Sequence, residues 1–515
     1  DDDEDDDDDE VQEELPTVLY PNRITTESIK SYTTITTSTM KFSNLVLAAV
    51  AAKTTFAMAK GNQSSSSTTM LRSPSTIDDR VLHPDSWYHE HNYNDHAQCT
   101  RPKPLCGTCD YKRDEDYYQS MVENSQVEDG HQYTPPDNTV TCGDVFTGFV
   151  KLTSNLVCDR GARTADGDPY DGRSVQAITL DGPGSLLDCD GNTIMMPVAT
   201  FQGGEEESAG IVLKNGAKAI NCNVVGFATG VLMENGNNVL KNSMVGGSQN
   251  NIRTMGSNSC MVLDGVESTG AISNSGLQVQ HEGTMLIFDS TFTGNAGDGV
   301  FSGSAEIGSD LDLCFSADNA DASGNVENGF NLIQIKTRDI KRSRANFNGA
   351  DGLIVGAITL EEAENPKLNL EDVQTIGNAN FGIFTNSFDV STFGSVTSLG
   401  NQRGYVFTCF HPCDLNVKGD LELEGAEQVG ILFGGEEDIS VSVEDCAFLK
   451  ACSNINGDIR DDVDSSATVT FEGGGVTCGT ENVDGLDCKS CPNDVGEGTI
   501  CTSPVAAYCY PKPEW

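Results

Sequence analysis

Nine glycines and one asparagine, each followed at once by a large apolar residue, recur along this chain at a spacing that suits a repeating fold. They are Gly210, Gly230, Asn251, Gly276, Gly299, Gly329, Gly352, Gly382, Gly404 and Gly430. The residues that follow are Ile211, Val231, Ile252, Leu277, Val300, Phe330, Leu353, Ile383, Tyr405 and Ile431. Gly210 to Gly430 spans 220 residues in nine steps, about 24 residues each. Five repeats add an asparagine three or four residues upstream: Asn295, Asn325, Asn348, Asn378 and Asn401. A turn residue and then an inward apolar side chain, once per two dozen residues, predicts a solenoid of strands. The first clear coil, residues 175–194, alternates so that Ile178, Leu180 and Leu187 point inward. Its Asp-Gly and Asp-Gly-Asn steps turn the chain, because Gly and Asn tolerate positive φ.

A chain of 515 residues could hold two or three ordinary domains or one long solenoid. The 53 glycines, an aromatic content of only 7% and the lack of any long run at helical period favour the solenoid. The formal charge is −47, of which residues 1–59 contribute 13 acidic and 4 basic side chains. So strong an acidic bias argues against nucleic acid and anionic membrane surfaces as partners. It suits contact with divalent cations or high salt, or simply a soluble, self-repelling surface.

Residues 40–59, MKFSNLVLAAVAAKTTFAMA, read as a secretory signal peptide: Lys41 leads, an apolar stretch follows, and Ala57-Met58-Ala59 offers cleavage. That apolar stretch is too short to span a bilayer, and no other segment is a membrane-span candidate. Residues 1–39 then form an acidic extension, either a wrong start or a disordered acidic tail. Residues 60–139 read as linker and N-terminal cap, with a glycosylation sequon at Asn62-Gln63-Ser64. Residues 140–475 form the solenoid and 476–515 a cysteine-rich C-terminal cap. All 18 cysteines lie beyond Ala59, which predicts disulfides. They concentrate in the predicted caps, with Cys99, Cys106, Cys109 and Cys142 before the repeats. The C-x-x-C pairs Cys106/Cys109 and Cys488/Cys491 would suggest zinc or thiol exchange in a cytosolic protein; in a secreted one they read as disulfide partners.

The phrase ITLDGPGSLLDCDGNTI, residues 178–194, looks like the opening coil of the pectin-lyase-like superfamily, and the N-x-x-x-G-[VFLI] phrases such as Asn295 to Val300 look like its standard coil. Over roughly 140–475 the chain resembles those proteins. The resemblance implies an all-β, right-handed parallel β-helix, here with disulfide-rich caps, building a rod on the order of 50 Å long. It also implies a polysaccharide partner, often an acidic one, by analogy alone. Enzymes of that superfamily use calcium with an Arg or Lys base, a carboxylate cluster, or paired aspartates. The hydrolase blocks N-T-D, D-D, G-H-G and R-I-K are missing as a set; Asp461-Asp462 stands alone.

For the lyase pattern the candidate bases are Arg253, Lys336 and Arg338, with Lys341, Arg342 and Arg344 as further anion contacts. The alternative is that this basic stretch pairs with neighbouring carboxylates such as Asp339. Asp166, Asp168 and Asp171 form a compact loop that is either a calcium site or solvated. His83, His89, His91 and His96 are either a transition-metal site or part of a polar cap. The residues after the inward ones should face outward: Val212, Leu232, Arg253, Gln278, Phe301, Asn331, Ile354, Phe384, Val406 and Leu432. Seven of these ten are apolar, which predicts cover by a loop, the N-terminal segment or a partner, or sugar stacking on Phe301 and Phe384. The expected function is a secreted protein that interacts with extracellular or cell-wall polysaccharide, with catalysis open. The alternatives are a calcium-dependent polysaccharide lyase and an acidic structural protein that binds calcium.

Overall fold

A computed structural model describes Cys106, Cys109, Tyr111 and most of residues 140–486. Outside that description lie 159–175, 198–207, 304–310, 357–365, 462–466, 483–485 and residues 334, 446, 474 and 480. Residues 40–59, expected to be a signal peptide, Asn62, the four N-terminal histidines and the Asp166, Asp168 and Asp171 positions also fall outside it.

The described chain has 36 strands and no helix. Each strand pairs in parallel with its counterpart about one repeat later. The strands form three faces, visited in the same order in every coil. The first face runs from Asp144–Phe146 through Ile178–Asp181 and Ala209–Lys214 to Glu481–Asn482. The second runs from Phe149–Lys151 through Leu186–Asp188 to Val469–Gly473. The third runs from Leu156–Val157 to Val476–Cys478, with its six-strand and five-strand halves joined by single bridges through Asp321 and Arg344. This is a parallel-strand solenoid, and stacking satisfies every internal strand edge.

The ten inward residues expected from the repeat form one unbroken row. Ile211 pairs with Val231, Val231 with Ile252, and so on through Tyr405 to Ile431. None is more than 2% exposed. They belong to a single hydrophobic core that runs from Cys142 to Cys478. Ile178, Leu180 and Leu187 point inward as the alternation predicts.

The repeat glycines serve a different purpose from the one expected. None has positive φ. Instead, a Cβ at Gly210, Gly230, Gly276, Gly299, Gly329, Gly352 or Gly382 would lie 2.6–2.8 Å from a backbone carbonyl oxygen of the next coil. At Gly276, Gly299, Gly352 and Gly382 it would also lie 2.6–2.7 Å from the amide nitrogen of the next coil's upstream asparagine. The glycine therefore makes room for that asparagine. The asparagines stack as a buried ladder: each Nδ2 donates to the next Oδ1, from Asn295 to Asn325, Asn348, Asn378 and Asn401, at 3.0–3.2 Å. Each Oδ1 also accepts the preceding asparagine's backbone N–H at 2.8–3.1 Å. Ala271 occupies the ladder place one coil earlier, and its N–H donates to Asn295 Oδ1. Asn251, at a glycine place, reaches the same oxygen with its own amide. Asn251, in the coil before, thus supplies from a glycine place the amide that Ala271 lacks.

Positive φ falls on other residues of the coil. After the second face it falls on Asn221, Asn242, Gly265, Asp289, Asn319, Arg342, Asp372 and Gly394. After the third face it falls on the residue just before the ladder, including Gly294, Gly324, Phe347, Gly377 and Gly400.

The described disulfides are not confined to the ends. Cys142–Cys158 closes the first coil and Cys189–Cys222 ties the next two; Cys409–Cys413 spans a tight bend. Cys106 and Cys109, expected in an N-terminal cap, are joined instead to Cys314 and Cys260 in the middle of the rod. This strap crosses the outer side of the second face. Tyr111 stacks on Phe288 with centroids 6.0 Å apart. Its hydroxyl donates to Asp264 Oδ2 at 2.6 Å, beside the buried Lys241–Asp264 ion pair. Cys109 and Tyr111 pack against an outer apolar cluster of Leu186, Ile220, Val239, Cys260, Val262 and Leu286. The N-terminal segment thus covers an apolar stripe on the second face, where the sequence placed such a stripe on the first.

The two strap disulfides close loops of 208 and 151 residues, and in the chain-entropy account each taken alone is worth about 5 kcal/mol. Replacing Cys106 and Cys109 by serine should lower the melting temperature by several degrees. It should also create binding sites for an apolar fluorescent dye. An unchanged melting temperature without dye binding would show that the strap does not stabilise the rod.

Candidate functional site

The outward row of the first face is in register from Val212 to Arg460, one residue per coil. Val212 and Val406 are buried; the others are half-buried. Phe301, Asn331, Ile354 and Phe384 occupy four successive coils, so the two rings stand about 14 Å apart. Phe384 stacks on Phe381 with centroids 5.5 Å apart. The Arg403 guanidinium lies 5.4 Å from the Phe381 ring centroid, and its Nε donates to Gln428. The middle of the row is therefore an aromatic–amide strip with flat apolar rings at both ends.

A file of carboxylates and amides borders this strip. It comes from the residue just before each glycine: Asp298, Asn328 and Asp351. Asp298 Oδ1 accepts the Asn328 backbone and side-chain N–H groups at 3.0 and 2.7 Å. Its Oδ2 accepts from Asn331 Nδ2 at 3.1 Å, which ties the border to the strip. Asn328 Oδ1 accepts the Asp351 N–H, and Asp351 Oδ1 accepts the Phe381 N–H. Burial raises the Asp298 and Asp351 carboxyls above their ordinary range, outweighing those hydrogen bonds. Exposed Glu327 is raised too, first by partial desolvation and then by the charge of Asp298. This border was missed in the sequence, although the D-G, N-G, D-G steps at 298, 328 and 351 carried the signal.

The residues chosen as bases and anion contacts do not gather. Arg253 stands on the outward row, and its Nε donates to Gln280 at 2.9 Å. Lys336 lies in the strand Ile335–Lys341, with its side chain outside the described residues. Arg338 is interior, with no exposure. Its guanidinium donates to the Leu332 carbonyl at 2.8 Å and lies 4.2 Å from the Phe388 ring centroid. It therefore takes no part in a surface patch. Arg342 pairs with Asp318 through two bonds of 2.8 and 2.6 Å, Arg344 with Asp321 at 2.8 Å, and Lys341 with Glu371 at 4.0 Å. Lys341, Arg342 and Arg344 are thus paired with carboxylates of adjacent coils. Asp339 itself is buried and accepts from Asn369.

His281 is sealed inside the rod. Its Nε2 lies 3.2 Å from the Thr284 carbonyl oxygen, so that nitrogen carries the proton, and Nδ1 accepts from the Thr254 hydroxyl at 2.8 Å. Burial pushes its pKa down to about 4, so the ring is neutral and structural. Both cysteines of the Cys106/Cys109 pair are used in disulfides. Among the described residues, no three His, Cys, Asp or Glu side chains are grouped so as to hold a metal ion.

No protein family, no curated protein and no solved structure matches this chain. The arrangement can stack flat apolar rings on Phe301 and Phe384 and exchange hydrogen bonds through Gln278 and Asn331.

A carboxyl that holds its proton more tightly in the fold than in the unfolded chain stabilises the fold when protonated. That contribution is complete below the unfolded value and is lost as pH rises through the raised folded value. Asp298→Asn removes one such group and keeps the acceptor for Asn328. The melting-temperature difference, variant minus wild type, should therefore shrink as pH falls from neutral to the ordinary carboxylate range. A difference constant across that range would contradict the assigned shift.

Proposed function

We propose that this protein is secreted and binds extracellular or cell-wall polysaccharide along its first face. The observation that carries the reading is the in-register, half-buried strip of Phe301, Asn331, Ile354 and Phe384. A linear polymer with one ring per short repeat suits a straight strip with one side chain per coil. Sugar rings lie flat on aromatic faces, and their hydroxyls bond to amides. Five described disulfides and the Met40–Ala59 stretch support an oxidising, extracellular setting. Among the described residues no helix is long and apolar enough to cross a membrane. We read the solenoid as a right-handed β-helix of the pectin-lyase-like kind, because parallel crossovers are right-handed in nearly all proteins.

Binding without turnover is the reading favoured by the paired state of Lys341, Arg342 and Arg344. A pull-down on insoluble polysaccharides should retain the wild type. Phe301→Ala and Phe384→Ala should each lose about 1 kcal/mol of binding, roughly fivefold in affinity. Ultraviolet absorbance in the same samples should show no unsaturated uronate. A rise that disappears in Arg253→Ala would make the protein a lyase. Repeating the assay with a chelator tests calcium at Asp166, Asp168 and Asp171. Full retention by both phenylalanine variants would remove the first face as the site.

A further inference from the structure

The electrostatics of the strip select among polysaccharides; this inference rests on the reading that the first face binds one. The segments that build the strip and its border, residues 295–303, 325–333, 348–356 and 378–386, contain Asp298, Glu327 and Asp351 and neither lysine nor arginine. The nearest cations along the face, Arg253 and Arg403, stand beyond the two ends, each with its Nε given to a glutamine. Glu327 is exposed beside the strip, and Asp298 reaches the strip through Asn331. A uronate or sulfate laid between Phe301 and Phe384 would meet carboxylates at about one coil spacing, against the single guanidinium of Arg403 at the Phe384 end. The acidic excess that remains beyond Ala59 adds a repulsive field along the rod. Hydroxyl groups meet the opposite situation. They donate to carboxylates and both donate to and accept from amides, and charge-assisted bonds of this kind are the stronger ones.

We infer that the strip takes a neutral polysaccharide and rejects those bearing uronate or sulfate. The occupant is a linear polymer of unsubstituted sugars. This reverses the acidic partner expected from resemblance, and it follows from the placement of charge on this face.

The test compares retention of the whole secreted chain on amorphous cellulose and on insoluble mannan with retention on immobilised polygalacturonate, at low and high salt. The expected result is retention on at least one neutral matrix, indifferent to salt, and passage through polygalacturonate. Glu327→Lys places a cation beside the strip on an exposed side chain, so the fold is retained. It should raise low-salt retention on polygalacturonate several-fold over the wild type, and high salt should abolish the gain; no gain would show that charge beside the strip does not set the selection. Preferential, salt-sensitive retention of the wild type on polygalacturonate would overturn the inference while preserving a polysaccharide-binding first face. Retention on neither class of matrix would overturn both.

Discussion

A missing Cβ at the corner between the third and first faces is the constraint on which the rest of the rod depends. At Gly276, Gly299, Gly352 and Gly382 that vacancy admits the next coil's asparagine amide and carbonyl oxygen. The amides then bond to one another in a buried line. A buried amide left without partners costs about 1–3 kcal/mol, so each rung enforces the next. Glycine and asparagine are two halves of one device. Asn251 shows this from the other side, since it supplies from a glycine place the amide that Ala271 lacks.

Fixing that corner fixes the register, and register sets the surface. In a strand a slip of one residue exchanges the inward and outward sets. With the ladder in place, Val300, Phe330, Leu353 and Ile383 face the core, while Phe301, Asn331, Ile354 and Phe384 form the strip. The same constraint stacks Asp298, Asn328 and Asp351 into a charged border. The candidate binding face is thus a by-product of how the coils are locked together.

The fold was legible in the sequence because an inward apolar residue after each glycine is a local, repeated signal. All ten inward residues and the outward row from Val212 to Leu432 were readable from spacing alone. The physical role of the glycine was not, because close approach between coils is a contact across some two dozen residues. Positive φ sits instead at the residue before each ladder asparagine and just after the second-face strands from Lys218–Ile220 to Asp389–Phe393. Charge was the least legible part. Lys341, Arg342 and Arg344 look like a basic patch in one dimension, yet stacking sets each against a carboxylate 23 to 30 residues away. Arg338, in the same run, has the inward parity and lies inside the rod. The strap was hidden for a similar reason, since disulfide partners 151 and 208 residues apart leave no local trace.

Amide hydrogen exchange tests the ladder most directly. The backbone N–H groups of Asn295, Asn325, Asn348 and Asn378, each donated to the next ladder oxygen, should be among the slowest to exchange in the rod. Replacing Asn348 by alanine should speed exchange in its own coil and the two beside it, and leave the coils near Cys189 unchanged. Exchange at these amides as fast as at the exposed bends, or a substitution without local effect, would contradict the claim that this corner holds the coils in register.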